Sequence, residues 1–307
     1  MAEHFIAKSE SATGFSADRD PALRVVAGAG DRITFETDDA AYAEMADVLD
    51  LAKLTSPLNP ITGPVYVEGA SVGDALAVTI HDVDLAPHGW SVYLPGAGAL
   101  SPIMGDDMIV RRIPIDSDGV HLSDTLVVAP APMIGCIGVA PSSGEASTVM
   151  PSYPTGGNMD LTDARPGTTV YLPVQVEGAL LSIGDIHAVM SRGESSFVAI
   201  EAAGRATVSV DVLPAAGIDL PFLDTGEELV FVGLGDPVHE SVRTAYEAAF
   251  HHLVDGKGWE PMDAYVAMSA VAHTELGGPT GSADPDPLHP LRPVGAVTLT
   301  RIAKRYV

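Results

Sequence analysis

Before residue 230 the chain is cut into short apolar runs, each bounded by Gly, Pro, Asn or Asp, at 32–36, 65–68, 76–80, 126–128, 170–176, 197–200 and 206–212. Segments of this length are too short for stable helices and suit strands joined by tight turns. The last run alternates, with Val208, Val210 and Val212 on one face and Thr207, Ser209 and Asp211 on the other, as a half-buried strand does. The turns are supplied by 31 Gly and 24 Pro in 307 residues, short of the content that marks disorder. Three segments carry helical spacing instead. They are Tyr42, Met45, Val48 and Leu49; Val242, Tyr246, Ala249, Phe250, Leu253 and Val254; and Tyr265, Met268, Ser269 and Ala272 behind Pro261 in a first-turn position. These stripes read as scaffold packed onto a sheet. The expected fold is mainly β, two sandwich-like or barrel-like lobes with a few helices, mostly C-terminal. An N-terminal β lobe would span 1–150, and a C-terminal β lobe with the site motifs and helices 151–307, unless both form one intimately packed domain.

An internal echo runs through this pattern. Val67-Glu68-Gly69-Ala70 leads to Gly73-Asp74 and then Ala77-Val78, and Val176-Glu177-Gly178-Ala179 leads to Gly184-Asp185 and then Ala188-Val189. Where the first copy has Leu76 the second has His187, a ligand-type side chain at a scaffold position.

Charge and cysteine content narrow the setting. With 41 acidic residues against 16 basic ones the net charge is −25, which repels phosphate backbones and anionic lipids, so neither nucleic acid nor a membrane is an expected partner. A single cysteine, Cys136, forms no intramolecular disulfide, and the first residues lack the apolar run of a signal peptide, so the expected location is cytoplasmic. Cys136 lies in an apolar run and reads as a buried, inert thiol.

The residues with chemistry gather in one stretch: Gly156-Gly157-Asn158-Met159-Asp160, Gly184-Asp185-Ile186-His187 and Gly193-Glu194. In extended backbone residues two apart face the same way, so Asp185 projects with His187, and Asn158 with Asp160. Asp, His and Glu are the donors of a divalent ion of borderline hardness such as Zn²⁺. Asn158, Asp185 and His187 are therefore candidate metal ligands, with Asp160 and Glu194 as carboxylates to carry protons. The paired glycines let backbone approach a small substrate, which makes Gly157 a candidate contact. The competing reading of these residues is structural: turn-capping Asp and Asn and a hydrogen-bonded core histidine.

The same strings resemble the acetamidase/formamidase family. The resemblance is carried by the run from Asn59 to Ala70, by Gly89-Trp90 before Pro95-Gly96-Ala97-Gly98-Ala99-Leu100, and by the run from Met133 to Pro141. The Gly156-to-Asp160 segment, Tyr171-Leu172-Pro173-Val174 and Gly184-Asp185-Ile186-His187-Ala188 complete it. It implies a β-rich fold, hydrolysis of a small linear amide to ammonia or an amine and a carboxylate, a bound metal and homo-oligomers. Two departures stand out. Val189-Met190-Ser191-Arg192 replaces the small polar loop usual before the Glu, and the 272–278 segment lacks the usual acidic-basic pattern. If Met190 and Arg192 line the site, they add an apolar wall and a fixed cation that would favour a larger or acid-bearing amide; otherwise Arg192 faces solvent and balances the acidic surface. The competing function is a non-catalytic binding module that keeps the scaffold.

Overall fold

A computed structural model describes residues 1–149, 152–278 and 296–307. Two large sheets dominate it. The first has nine strands in the order Glu3–Ile6, Arg32–Glu36, Gly204–Leu213, Ala75–Leu85, Thr169–Pro173, Phe222–Asp224, Glu228–Gly235, Ala296–Ala303 and His273–Leu276. Its pairings are antiparallel except at the edge, where Glu3–Ile6 runs parallel to Arg32–Glu36. The second sheet has eleven strands and is organised around Leu181–Val189. That strand pairs with Met133–Gly138 on one side, and on the other with Ile61–Glu68 and then Ile200–Ala202. Each sheet draws strands from both sides of residue 150.

The sheets meet through one large core. It joins Ile33, Phe35, Val78 and Ile80 of the first sheet to Ile134, Ile137, Ile183 and Ile186 of the second, all at most 1% exposed. The mainly β expectation holds, and the run at 206–212 shows why. Ala206, Val208 and Val210 are buried while Thr207 and Ser209 are only half covered, the alternation of a strand with one face on a core. Among the described residues the two longest helices, Val238–His251 and Pro261–Val271, lie in the C-terminal part as expected, but the stripe read for the second does not all face the sheet: Met268 is buried while Tyr265 is 62% exposed and Ser269 is exposed. Ala249, Ala264 and Met268 of these helices, with Leu253 of the π-helical turn His252–Gly256, pack onto Phe222, Phe231 and Ile302 of the first sheet. Among the described residues no helix is long and apolar enough to cross a membrane.

The repeated Val-Glu-Gly-Ala string has a structural basis. Ala70 N–H donates to Val67 O and Ala179 N–H to Val176 O, each at 3.1 Å, so both copies form the same turn. The turns also bond to each other, Val67 N–H to Gly178 O and Gly178 N–H to Ala70 O, each at 2.9 Å. The first copy feeds the first sheet and the second feeds the Leu181–Val189 strand of the second sheet. Leu76 is fully buried in the core of one, and His187 stands in the middle of the other.

One strand differs from its sequence reading. The 197–200 run forms no strand over 197–199; pairing starts at Ile200. Phe197 adopts a left-handed φ of 72° and its N–H donates to Glu194 O at 2.8 Å, so the segment is a turn that ends the preceding loop. Of its apolar residues Ala199 is buried and Phe197 and Val198 are half-buried.

Candidate active site

The Leu181–Val189 strand is buried along residues 181–188, covered on both faces. A histidine in such a strand has no solvent to turn to and must find partners inside. His187 is 1% exposed, and its Nε2 lies 3.3 Å from Glu201 Oε2, 3.4 Å from Asp185 Oδ2 and 3.7 Å from Asp160 Oδ1. Glu201 arrives by cross-strand register, directly opposite His187 on the Ile200–Ala202 strand. Its other oxygen accepts the Ala199 N–H at 2.9 Å. Glu194, 4% exposed, comes from the loop between these strands and completes a second trio with His187 and Glu201. In each trio, Asp160–Asp185–His187 and His187–Glu194–Glu201, the ligand atoms lie within 4.8 Å of one another.

Three of the carboxyl groups sit on strained backbone. Asp160, Asp185 and Glu194 have φ of 47°, 56° and 38°, the left-handed region that side-chain-bearing residues rarely adopt. Such residues cost on the order of 1–3 kcal/mol each and persist where the surroundings over-determine them. Asp185 does so in the middle of a strand, so simple alternation is not what turns it toward His187. The cluster also requires a glycine beneath it. A Cβ on Gly135 would stand 2.6 Å from both Asp160 Oδ1 and Asp185 Oδ2.

The electrostatics are those of four acids around one base. Burial opposes the charge on His187, but Glu201 and Asp185 overcome it and hold the imidazole well above its ordinary range. Burial and the neighbouring Asp185 push the Asp160 carboxyl well up, and burial and Asp160 do the same to Glu194. Burial raises Glu201 too, against the pull of His187. Tyr42, whose spacing reads as scaffold, faces this group. Burial, then Glu201 and Asp185, push its phenol well up, while its hydroxyl donates to Asn59 Oδ1 at 3.0 Å.

A divalent cation fits this set on two grounds. The acids outnumber the single imidazole, and a cation would relieve their repulsion. Asp160 Oδ1, His187 Nδ1 and Asn158 Oδ1 are buried with no hydrogen-bond partner among the described residues. Unsatisfied polar atoms are rare in protein interiors, and two of these belong to Asp160 and His187, members of the cluster itself.

The structure thus brings together Asp160, Asp185, His187 and Glu194 of the sequence-derived candidates. Asn158 donates its Nδ2 to Val149 O at 2.9 Å, and its Oδ1 has no hydrogen-bond partner among the described residues. Gly157 lies on the Gly156–Asn158 edge strand beside Met133–Gly138, and Met190 is half-buried just past the Leu181–Val189 strand. Arg192 is 40% exposed and engaged, its Nη1 2.9 Å from Asp163 Oδ2 and 2.8 Å from Glu275 Oε2. Sequence reasoning missed Glu201, although it is the single charged residue in Phe197-Val198-Ala199-Ile200-Glu201-Ala202-Ala203, which is itself a signal. It also missed Gly135, whose role is purely steric. Cys136 is fully buried and its thiol is pushed well up by burial, then by Asp185 and Asp160, in keeping with an inert group.

Comparison with known proteins points to one family. The model of the Acetamidase/Formamidase family matches residues 142–276, which include Asp160, Asp185, His187, Glu194 and Glu201. An acetamidase of Mycolicibacterium smegmatis is 24% identical, with 74% of this chain and 71% of that protein covered. The crystal structure of an acetamidase from Bacillus halodurans is 28% identical and superposes with a TM-score of 0.85 over 98% of each chain. A structure described as a predicted acetamidase/formamidase from Thermoanaerobacter tengcongensis is 26% identical, with a TM-score of 0.87 over 99% of this chain and 97% of that one.

Proposed function

We propose that this chain, which belongs to the acetamidase/formamidase family, is an amidohydrolase that cleaves the C–N bond of a small linear amide at the His187 cluster, with a divalent cation held there. The observation that carries the assignment is the convergence of Asp160, Asp185, Glu194 and Glu201 on one buried imidazole. Asp185 and His187 would hold the cation, with Asp160 or Asn158 Oδ1 as further donors. Mixed oxygen and nitrogen donors suit zinc. When bound, such a cation polarises an amide carbonyl and eases ionisation of water near neutral pH.

The chain's own residues supply the proton traffic. Amide hydrolysis takes a proton from the attacking water and returns one to the leaving nitrogen. Glu194 is the candidate for both, because burial and Asp160 raise its carboxyl above the ordinary carboxylate range and so favour its holding a proton. Asp160 is the second candidate, raised by burial and Asp185. Glu201, paired across the strands with His187, would fix the orientation of the imidazole. A substrate carboxylate would have to compete with Asp163 and Glu275 for Arg192, which favours a neutral amide.

The test is ammonia release from formamide, acetamide and longer amides, before and after a chelator, with elemental analysis of protein purified without added metal. Turnover with close to one divalent ion per chain, both lost to chelator, is the expected result. Amide binding without ammonia release would return the chain to a binding module, and full activity in metal-free protein would remove the cation.

A further inference from the structure

Asp163 is 2% exposed and carries two guanidinium groups on one carboxylate. Arg192 Nη1 and Nη2 donate to Oδ2 and Oδ1 at 2.9 and 3.4 Å, and Arg301 Nη1 and Nη2 donate to the same two oxygens at 2.7 and 3.2 Å. Arg301 is held in turn by Glu228, and both arginines reach Glu275 Oε2, at 2.8 Å from Arg192 and 3.4 Å from Arg301. The network therefore joins the loop after the Gly156–Asn158 strand, the loop after Leu181–Val189 and three strands at one edge of the first sheet.

Its attachment points lie close to the reacting groups. Asp163 stands three residues after Asp160 and Arg192 two before Glu194, and both of those carboxyl-bearing residues are in left-handed backbone. A second tether acts beside the ion pairs, the Gly193 N–H donating to Gly277 O at 2.7 Å. Strained residues hold their place only when something outside the loop fixes them. The loop's own bonds, Glu194 N–H to Ser191 O and Phe197 N–H to Glu194 O, make tight turns but do not reach the Asp160 segment.

We propose that Arg192 and Asp163 are positioning residues, an ion-pair strap that ties the Glu194 loop to the Asp160 loop and sets the distance between these two carboxyl groups across His187. This rests on the amidohydrolase reading of the cluster. The strap gives Arg192 a task different from that of a cation for substrate. Its charge is already met by two carboxylates, and its bonds to Asp163 use both terminal nitrogens.

The experiment compares wild type, Arg192→Gln, Arg192→Lys, Asp163→Asn, the Arg192→Gln/Asp163→Asn double variant and the surface control Arg243→Gln. Each is assayed on a neutral amide and an acid-bearing amide of equal length. A displaced catalytic group of roughly an ångström costs about 10²-fold, so Arg192→Gln should lower kcat by about 10- to 100-fold on both substrates with KM moved less than about twofold. Arg192→Lys, which keeps one donor to Asp163, should recover most of that loss. The double variant should fall no further than the worse single, because the residues act as one unit. A rise in KM confined to the acid-bearing amide would overturn the strap in favour of substrate binding, and additive losses or an unchanged kcat would also overturn it. If Asp163→Asn does not fold, Arg192→Gln and Arg192→Lys still decide. Should wild type cleave no amide, the functional reading fails and the strap is judged on zinc affinity by competition with a chromophoric chelator. Weakening of about 10-fold or more in Arg192→Gln, the scale of effects from residues behind metal ligands, supports the strap; equal affinity overturns it.

Discussion

Gly135→Ala separates the cluster's geometry from the stability of the fold. The added Cβ would lie 2.6 Å from Asp160 Oδ1, 2.6 Å from Asp185 Oδ2 and 2.9 Å from Asp185 O. Ordinary contact begins at 3.4 Å, so each carboxylate must retreat by about 0.8 Å, or the strand must yield by a comparable amount. A displacement of that size in a group that must meet substrate costs about 10²-fold in kcat, or about 2.7 kcal/mol of barrier. Global stability should suffer less. Overpacking costs about 1–3 kcal/mol, and the low end applies because two of the three obstructing atoms are ends of side chains. Gly135 is outside the set of positive-φ glycines, so alanine adds no backbone strain there and reduces unfolded-state entropy by an amount worth about 0.4–1 kcal/mol. The assay pairs steady-state turnover of acetamide and formamide with thermal unfolding and metal content. Gly226→Ala is the opposite control, with φ of 88° and nothing within 4 Å of its Cβ, so it should lower the unfolding temperature and leave turnover intact. Gly135→Ala with kcat within about threefold of wild type, well short of the loss a displaced group entails, and with full metal content would refute the placement of Asp160 and Asp185 in the working site.

Glu201→Gln keeps shape but removes the charge opposite His187, and should reduce kcat by about 10- to 100-fold with weaker metal retention, measured by turnover and elemental analysis. His187→Ala should abolish hydrolysis and metal binding, checked by ammonia release and isothermal titration with Zn²⁺; near-native turnover would disprove the site. The Asp163 carboxyl is pushed up by burial, but hydrogen bonds from Arg301 and Arg192 outweigh this and hold it below its ordinary value. A depressed folded-state pKa contributes stability above the unfolded value of about 4 and loses it as pH falls through the folded value. Wild type should therefore lose unfolding temperature more steeply than Asp163→Asn below about pH 4, with the two curves converging in acid. At pH 7 Asp163→Asn should be less stable, toward the low end of the about 3–5 kcal/mol for breaking a buried pair, since Arg301 keeps Glu228 and Arg192 keeps Glu275.

Much of the scaffold was legible because burial on one face writes a period into the sequence. The alternation at 206–212 and the stripe from Val242 to Val254 each record one covered face, and the strand Gly204–Leu213 and helix Val238–His251 follow from them. The Leu181–Val189 strand, buried on both faces, has no such period, and only the Gly-Asp-Ile-His string and its echo of residues 73–78 mark it in the sequence. Asp160, Asp185, His187 and Glu194 could be picked out as polar groups in apolar or Gly-rich surroundings. Glu201 was not, because its role depends on pairing with a strand 14 residues earlier, and register is a property of the sheet rather than of either segment.

The same distinction explains why alternation gave the right partners for His187 through an incomplete argument. Asp185 and His187 are two apart in one strand, and their side chains do meet at 3.4 Å. Yet Asp185 is left-handed, and its carboxylate occupies the space above Gly135, where it also faces Asp160. A strand of ordinary geometry would carry Asp185 on the face of His187 without bending it toward a carboxylate from another loop. Local strain, a bare glycine on the neighbouring strand and an opposed glutamate together compress four acids around one imidazole. None of these three features has a periodic signature, and each lowers stability when considered alone. Their coincidence at one point is what separates a catalytic reading of the cluster from a hydrogen-bonded core histidine, for which one carboxylate and an ordinary backbone would have sufficed.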